Sequence, residues 1–335
     1  MKIVSVNEIK VNNNYPYFYL KGYASFIKKT EDKNIFLFID EINNVIVCKI
    51  WRNKFLKLIQ PIYPPLSSNT ERLSKQQELD FLNKWISFIA ATNMADRVIQ
   101  AENFAIFKTT PVKTISAPFG TYYLNLEKDT EEDLFQKIHV KHRNVIRNAE
   151  KKGVELRYGK DCIEDFYSLY KQTMKRSNMY CQDIFYFKQF YNSLPQNIVC
   201  GVVYFNNIPQ GGLFIPYTKF GAFYLYGASN EKVEINGSIN YLHWNTIKLL
   251  KKEGVKRYDF VGARLSNISG TKLEGIQQFK KRFGTELEEG FLWKIDLNKN
   301  KCDIYDTLLS VKTKLRGKEI SLDIIDQENR KTYAK

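Results

Sequence analysis

Two stretches of this chain carry the same order of elements, in which short β-rich runs precede an amphipathic helix and a further strand. In the first stretch, β-rich runs at 35–39 and 45–50 flank a Glu-Ile-Asn-Asn segment, and the Asn pair is typical of a hairpin turn. Apolar residues from Leu79 to Ile89 then recur at helical spacing. Further strands are predicted at 55–59, 98–100 and 105–108.

The second stretch repeats this order between residues 165 and 261. Helices are predicted at 165–174, 185–194 and 239–253, and strands at 198–205, 211–216, 222–226 and 257–261. A chain of 335 residues also has the length of two ordinary domains. The element order therefore predicts an α+β fold with two domains, although the two stretches share no visible sequence repeat.

A strongly basic segment lies between the two stretches. Thr130 and the acidic residues that follow it are typical of a helix start, and the predicted helix runs to Gly153. Its cations, which include Lys141, Arg143 and Arg147, can bind the phosphates of a nucleic acid or of a diphosphate. Taken by itself, a basic run of this kind is more often a solvated helix face, so both interpretations stay open.

The net charge indicates what kind of partner the chain attracts. Lys and Arg number 51 against 36 Asp and Glu, which gives a formal charge of +15. This charge attracts anions such as tRNA, CoA or a phospholipid headgroup, although a Lys-rich composition accounts for part of it. The apolar runs are too short to span a bilayer and the first residues do not resemble a signal peptide, so a cytoplasmic protein is predicted.

Cysteine and histidine are too sparse to favour disulfide, metal or triad chemistry. The five cysteines are widely spaced and form no Cys-x-x-Cys pair. The three histidines, His139, His142 and His243, do not stand at zinc-ligand spacing from them. No bound metal and no bound cofactor are therefore predicted.

The segment YLYGASN, residues 224–230, is the first of two candidate ligand-binding motifs. Gly227 would allow the backbone to approach a ligand closely, and Tyr226 could donate a hydrogen bond to a phosphate or carbonyl oxygen. The same letters also fit an aromatic core strand that leaves its sheet.

The second candidate motif joins YDFVGAR, residues 258–264, to GIQQFKKRFG, residues 275–284. Asp259 and Arg264 are well placed for a site at a sheet edge. Lys280 stands between Phe279 and Phe283, so partial desolvation would strengthen its effect on a developing oxyanion. In the alternative interpretation, Asp259 binds backbone amides and Lys280 is a surface lysine.

The order of these motifs resembles that of the Fem family of peptidoglycan bridge aminoacyltransferases and their acetyltransferase-like relatives. The matching motifs are R-x-x-I-R-x-A-x-x-x-G, YLYGAS, a helix with Trp, G-V-x-x-Y-D-F-x-G and G-I-x-x-F-K-x-x-F-G, over about residues 137–295. The resemblance implies two GNAT-type domains with mixed, mainly antiparallel sheets flanked by helices. It implies a degenerate N-terminal domain at 1–128, a C-terminal domain with the motifs at 129–296, and a tail at 297–335 that packs back on the first domain.

The resemblance also implies a role for individual residues. Lys280 matches the lysine that would stabilise the transition-state oxyanion, and Asp259 matches a strand acid with an orienting role. Arg176 matches a residue that binds the diphosphate of the acceptor, and Tyr226 matches a tyrosine that lines the same cleft.

Further members of the site follow from their place in the same motifs. Tyr224, Ser229 and Arg264 are predicted to bind substrate. The basic helix, through Lys141, Arg143 and Arg147, is predicted to bind an anion such as tRNA.

The sequence departs from the family at two places that bear on the substrates. Gln100-Ala101 stands where bridge-forming members often carry Asp-Pro, and Lys21, Lys28 and Lys29 are all candidates for an N-terminal phosphate-binding lysine. The chain also has no Q/R-x-x-G-x-G/A loop of the kind that binds the pyrophosphate of CoA.

Three functions remain as hypotheses. In the first, the chain transfers an aminoacyl or acyl group from aminoacyl-tRNA or acyl-CoA to an amine of an anionic, peptidoglycan-type envelope precursor. In the second, it is an acyl-CoA-dependent N-acyltransferase for an amino sugar or another small amine. In the third, it is a non-catalytic RNA-binding protein. The positive charge is also compatible with peripheral contact with an anionic membrane.

Overall fold

The computed structural model describes residues 1–8, 11, 13–266, 268–317 and 322–333. The strands of the described part are β1 (Lys2–Ser5), β2 (Asn34–Ile39), β3 (Val45–Arg52), β4 (Lys57–Pro61), β5 (Arg97–Val98), β6 (Ile115–Asn125), β7 (Glu155–Tyr158), β8 (Ile198–Phe205), β9 (Ile208–Thr218), β10 (Gly221–Phe223), β11 (Tyr226–Ser229), β12 (Arg257–Asp259), β13 (Ala263–Arg264) and β14 (Glu286–Asp296). The helices are α1 (Lys21–Glu31), α2 (Lys75–Ala91), α3 (Glu131–Lys137), α4 (Val140–Lys151), α5 (Ile163–Ser177), α6 (Ile184–Ser193), α7 (Ser238–Lys252), α8 (Lys272–Lys281), α9 (Lys299–Leu315) and α10 (Ile324–Tyr333).

One mixed sheet runs through both halves of the molecule. Its strands follow the order β1-β2-β3-β4-β5-β14-β6-β12-β10-β9-β8-β7, with β11 beside β9 and β13 beside β6. The β4–β5 and β10–β12 pairs are parallel, and the other described pairs are antiparallel. The predicted α+β class, with a mainly antiparallel sheet flanked by helices, is confirmed.

The long strand β14 connects the two halves of the sheet. Near its end, Ile295 pairs with Val98 of the N-terminal strands. Over the rest of its length β14 pairs with β6, which in turn pairs with β12. Residues of both halves are therefore held in one hydrogen-bonded frame, which fixes the space between them.

An aromatic core at the junction also joins the halves. The Phe26 ring of α1 stacks on the Phe190 ring of α6, with ring centroids 4.2 Å apart. The Phe18 ring lies 5.9 Å from both Phe104 and Phe223. These rings are fully or almost fully buried, so separating the halves would expose a large apolar area to water.

The predicted single helix at 130–153 is wrong, because the chain breaks between α3 and α4. Thr130 and Asp133 form a capping box that starts α3, as the sequence predicted. His139 then starts a second helix, since its Nδ1 accepts a hydrogen bond from the backbone amide of Lys141 at 3.2 Å. Its own backbone amide donates to the carbonyl of Arg282 at 2.8 Å. A tertiary contact therefore interrupts a run that reads locally as continuous helix.

Two predicted strands also differ in the structure. Residues 105–108 form no strand and contribute one isolated bridge, between Phe107 and Phe291. The strand predicted at 222–226 is divided into β10, which pairs with β12, and β11, which pairs with β9. The backbone amide of Tyr224 donates to the carbonyl of Asp259 at 2.8 Å where the two segments part.

The strand β6 bears on where the domains divide. It lies within the range 1–128 expected for the N-terminal domain, yet it pairs with β12 and β14. We propose that the boundary between the domains lies just before β6.

The tail expected at 297–335 contributes α9 and α10, and residues 318–321 and 334–335 lie outside the described residues. Ile325 of α10 is buried in a core cluster with residues of β2, β3 and α2.

Candidate active site

A cavity of about 520 Å³ lies between the two halves of the molecule. The N-terminal half contributes Lys49 and Glu102 to its wall, and the C-terminal half contributes Tyr186, Tyr226 and Val261. The motifs YLYGASN and YDFVGAR, which are separate in the sequence, thus meet at one cavity.

A strained turn after β12 forms part of the cavity wall. Val261 has a φ of 46° and Gly262 a φ of 57°. A β-branched residue in this left-handed region is an outlier that costs about 1–3 kcal/mol and persists only where neighbouring groups hold it. Two side chains do so: Asp259 Oδ1 accepts from the backbone amide of Val261 at 2.8 Å, and Lys280 Nζ donates to the carbonyls of Val261 and Gly262, the latter at 2.7 Å.

Lys280 is a buried lysine with no carboxylate within hydrogen-bonding distance among the described residues. It lies on the inner face of α8, 8% exposed. Burial lowers the pKa of Lys280 to about 8, although the Asp259 carboxylate acts in the opposite direction. An ammonium group has three N–H donors, and the two carbonyls take two of them. The third has no hydrogen-bond partner among the described residues. Lys280 does not itself line the cavity but lies directly behind the turn at Val261, which does.

Asp259 is fully committed to neighbouring groups. Thr121 donates a hydrogen bond to it, and the Arg257 guanidinium pairs with it at 2.9 Å. Arg257 also pairs with Glu288 of β14 at 2.7 Å. Asp259 therefore supports the turn at Val261 and has the contacts of an orienting residue.

Tyr224 and Tyr226 occupy different environments. The Tyr226 hydroxyl lies 2.9 Å from the Tyr186 hydroxyl at the cavity. The Tyr224 ring instead packs edge-on against His243, with centroids 4.5 Å apart. A Cβ at Gly227 would lie 1.8 Å from the Tyr224 hydroxyl oxygen. The lack of a side chain at Gly227 thus makes room for Tyr224, rather than for the ligand expected from the sequence.

Arg176 and Ser229 meet at the C-terminal end of α5. The exposed Arg176 side chain donates to Ser229 Oγ at 2.7 Å and to the Ser229 carbonyl at 2.9 Å. Lys272, at the start of α8, donates to Ser177 Oγ at 2.7 Å. The helix that carries Lys280 therefore begins beside the end of the helix that carries Arg176.

The N-terminal wall carries a charged cluster that sequence reasoning missed. Lys49 of β3 pairs with Glu102 at 2.7 Å and with Glu31 at 3.3 Å. Burial disfavours the charged form of Lys49, but the two carboxylates outweigh it and raise its pKa. Its partners Glu102 and Glu31 are 53 and 18 residues away in the sequence. The one local sign of this cluster was therefore a lysine within a β-rich run.

The N-terminal lysines considered from the sequence lie on a neighbouring groove. Lys21, Lys28 and Lys29 of α1 line a groove of about 450 Å³ together with Lys33. Lys33 also lines the cavity between the halves, so it is common to both. It pairs with Glu31 at 2.8 Å.

The remaining predicted cations contact groups outside the cavity wall. Arg264 pairs with Glu328 of α10. Arg143 donates to the Gln136 carbonyl at 2.7 Å, and Arg147 lies over the Phe135 ring at 5.2 Å. Lys141 is exposed on α4.

The buried histidines are neutral and packed among aromatic rings. Burial lowers the pKa of His243 to about 3, and burial together with Arg282 lowers the pKa of His142 to about 4. His243 Nδ1 lies 3.0 Å from the Tyr258 hydroxyl.

Over the described residues, no group of three His, Cys, Asp or Glu side chains is arranged to hold a metal ion. Nor does that part of the chain contain a helix long and apolar enough to cross a bilayer.

Three solved structures illustrate the likeness of fold. FemX superimposes with a TM-score of 0.67 at 15% identity, over 91% of this chain and 99% of that one. The C-terminal DUF2156 domain of a putative lysylphosphatidylglycerol synthetase from Agrobacterium fabrum gives 0.52 at 12% identity, over 86% and 91%. L-PGS from Bacillus licheniformis gives 0.51 at 11% identity, over 81% and 86%. These identities establish likeness of fold alone.

Sequence comparison identifies the family. No curated protein matches the chain. The model of the FemAB family matches residues 104–208 and 206–292, which is more than half of the chain and contains both cavity motifs. The chain therefore belongs to the FemAB family of acyltransferases.

Proposed function

We propose that this acyltransferase moves an aminoacyl group from aminoacyl-tRNA to an amine of an anionic peptidoglycan-type precursor, in the cavity between its halves. The observation that carries the proposal is the turn at Val261, held by Asp259 and Lys280 with one lysine N–H to spare. Membership of the FemAB family supports the reaction class and favours an enzyme over a non-catalytic RNA-binding protein.

The proposed step is an aminolysis. The neutral acceptor amine attacks the carbonyl carbon of the aminoacyl ester, a C–N bond forms, and the carbonyl oxygen becomes an oxyanion. Lys280 donates its third N–H to that oxygen, inside a site where low polarity strengthens the interaction. The C–O bond then breaks, the amine loses a proton, and the tRNA 3′ oxygen leaves with one. This role requires Lys280 to be protonated.

The N-terminal wall supplies charges of both signs for the acceptor. We assign Glu102, whose side chain is 29% exposed, to the ammonium form of the incoming amine. Lys33 and the groove lysines Lys21, Lys28 and Lys29 would attract the phosphates of the precursor. Arg176 and Ser229, from the other half, would bind the same anionic part. Charged tRNA is made in the cytoplasm, so the reaction would take place there.

An acyl-CoA donor is the second candidate. It is favoured by an opening in the sheet: β10 pairs with β12, but β11, which follows β10 in the chain, pairs with β9 instead. The edge of β11 that faces away from β9 can therefore offer backbone groups to a ligand. The same Lys280 would then face a thioester carbonyl, and the thiol would leave in place of the ribose oxygen. The acceptor in this case would be an amino sugar or another small amine.

Purified full-length chain distinguishes the two donors directly. A nucleotide-linked muropeptide is incubated with tRNA charged with a mixture of radiolabelled amino acids, and in a parallel arm the muropeptide or glucosamine is incubated with radiolabelled acetyl-CoA. We expect label in the muropeptide from charged tRNA, and none after ribonuclease treatment of the donor. Product from acetyl-CoA alone would replace the first proposal by the second, and an absence of product from both donors would contradict both.

A further inference from the structure

The helix α9 exposes an apolar stripe that none of the described residues covers. Ile304, Leu308, Val311 and Leu315 are 61%, 50%, 52% and 83% exposed. Their spacing of four, three and four residues places them on one face, over about 16 Å of helix. Isolated exposed apolar residues are ordinary, but a continuous stripe of four is the pattern of a face that meets a partner or a lipid surface.

The opposite face anchors α9 to the protein. Cys302 is fully buried in a small cluster with Leu56 and Leu58. Asp306 pairs with Arg97 at 2.7 Å. The helix is therefore held in place with its apolar stripe directed outward.

The charges beside the stripe are all positive. By helical periodicity, Lys301 and Lys312 flank it on one side and Lys314 on the other. Lys312 and Lys314 are exposed and take part in no ion pair within the part of the chain that the structure describes. The acids Asp303 and Asp306 lie farther round the helix than these lysines, so the arc between the lysines carries no acid, although it also includes the polar residues Asn300 and Thr307.

A neighbouring loop extends this character. Phe55, at the β3–β4 connection, is 50% exposed and lies 5.9 Å from the Tyr305 ring. Tyr305 shares a helix row with Lys301 and Lys312. Lys54, which is exposed, stands beside Phe55 in the chain. A second element thus adds an aromatic ring on the same side.

We propose that the surface formed by α9 and Phe55 docks on an anionic lipid surface, with the stripe among the acyl chains and the lysines at the headgroups. Burial of apolar side chains and attraction between cations and anionic lipid each add to such binding. A protein partner would need acidic groups to match the same face. The docking surface contributes no residue to the wall of the active-site cavity, so this proposal goes beyond the proposed function and stands independently of it.

The test is sedimentation of the full chain with vesicles, which requires no transfer activity. Vesicles contain phosphatidylglycerol and phosphatidylcholine in equal parts, or phosphatidylcholine alone. The wild type should bind the anionic vesicles, bind them less as salt rises, and leave the neutral ones free. The variant L308E/V311E should bind at least about tenfold more weakly.

A matched control has the same chemical change elsewhere. Ile42 and Val112 are 70% and 68% exposed, and I42E/V112E should bind as the wild type does. Should L308E/V311E fail to fold, K312E/K314E changes only exposed lysines and must also weaken binding. The proposal is overturned if the wild type ignores anionic vesicles or if both variants bind them normally. It is equally overturned if the wild type is a dimer that L308E/V311E makes monomeric, because the stripe would then be a contact between copies.

Discussion

A lysine is buried on each side of the cavity, Lys49 in the N-terminal wall and Lys280 behind the Val261 turn of the C-terminal wall, and the pKa values of the two lysines shift in opposite directions. Lys49 has two carboxylates within 3.3 Å, which raise its pKa despite its burial. Among the described residues, the hydrogen-bond partners of Lys280 are backbone carbonyls alone, and burial lowers its pKa to about 8. One lysine is thus a fixed charge at any physiological pH, while the other titrates close to neutrality.

The difference shows that burial alone does not define a reactive lysine. A carbonyl dipole orients an ammonium group but does not repay the loss of hydration as a full negative charge does. The N-terminal wall therefore offers a stable arrangement for binding. Behind the C-terminal wall, beside a strained turn, Lys280 carries an ammonium group without a counter-charge in hydrogen-bonding distance among the described residues, and such a group would stabilise a developing oxyanion strongly while it keeps its proton.

The largest effect should come from removing the carboxylates beside Lys49, so that it is buried without a counter-charge as Lys280 is. The variant E31Q/E102Q leaves Lys49 buried without a counter-charge, and we expect a loss of about 3–5 kcal/mol in the free energy of unfolding by urea at neutral pH. The folded-state pKa of Lys49 should then lie below its unfolded value, so the loss should shrink as pH rises toward the unfolded pKa.

A surface pair provides the reference for that experiment. Lys28 and Asp32 are 54% and 89% exposed, so D32N should change the free energy of unfolding far less than E31Q/E102Q does. Equal stability of E31Q/E102Q and D32N would contradict the view that Lys49 depends on its carboxylates.

The next effect concerns the transfer reaction. Removing the Lys280 ammonium in K280M should lower the rate of transfer about 10²–10³-fold, the range found when one oxyanion donor is lost. The exposed neighbour Lys281 gives the control K281M, which should react as the wild type does. Transfer by K280M at the wild-type rate would remove Lys280 from the chemistry.

A smaller effect should come from a change that widens the difference in pKa between Lys280 and Lys49. Asp259 raises the pKa of Lys280, so D259N should lower that pKa further and shift the alkaline decline of the transfer rate to lower pH. The pH of the decline does not depend on how much protein folds. An unchanged decline would mean that Asp259 acts only on the turn.

The smallest effect should come from Arg176, an exposed cation that resembles neither of the two buried lysines. We expect R176A to raise the KM for the acceptor several-fold and to leave kcat unchanged, because an exposed charge contributes little. The adjacent exposed Lys175 gives the control K175A. A change confined to kcat would place Arg176 in the chemistry instead.

The C-terminal half could be predicted from sequence because its signals are local. The strands β8 and β9 are nearly continuous apolar runs, and the helix α7 shows helical periodicity up to Gly254. The motif around Lys280 lies within ten residues. Its role as a support for the turn at Val261 was not evident, because Lys280 reaches back 18 and 19 residues to its carbonyl partners.

The central strands β6 and β14 escaped prediction for a physical reason. Pro118 and Gly120 interrupt β6, and both residue types are depleted in strands. The first half of β14 is rich in glutamate, which normally indicates an exposed loop. In the fold Glu288 pairs with Arg72 at 3.2 Å and with Arg257 at 2.7 Å, so distant partners make a charged strand acceptable.

The N-terminal wall escaped prediction for the same reason. Lys49, Glu31 and Glu102 converge from a strand, a helix end and a loop, and no short motif joins them. A local pattern identifies chemistry that is built within one segment, but not chemistry that three segments assemble.

The most direct test of the account is the pH dependence of single-turnover transfer, corrected for spontaneous hydrolysis of the donor ester. We predict that the wild-type rate rises as the acceptor amine loses its proton and then falls as pH passes about 8, where Lys280 deprotonates. The residual reaction of K280M should lack this fall. A wild-type rate that does not fall on the alkaline side, or a fall at the same pH in K280M, would contradict the claim that protonated Lys280 stabilises the oxyanion.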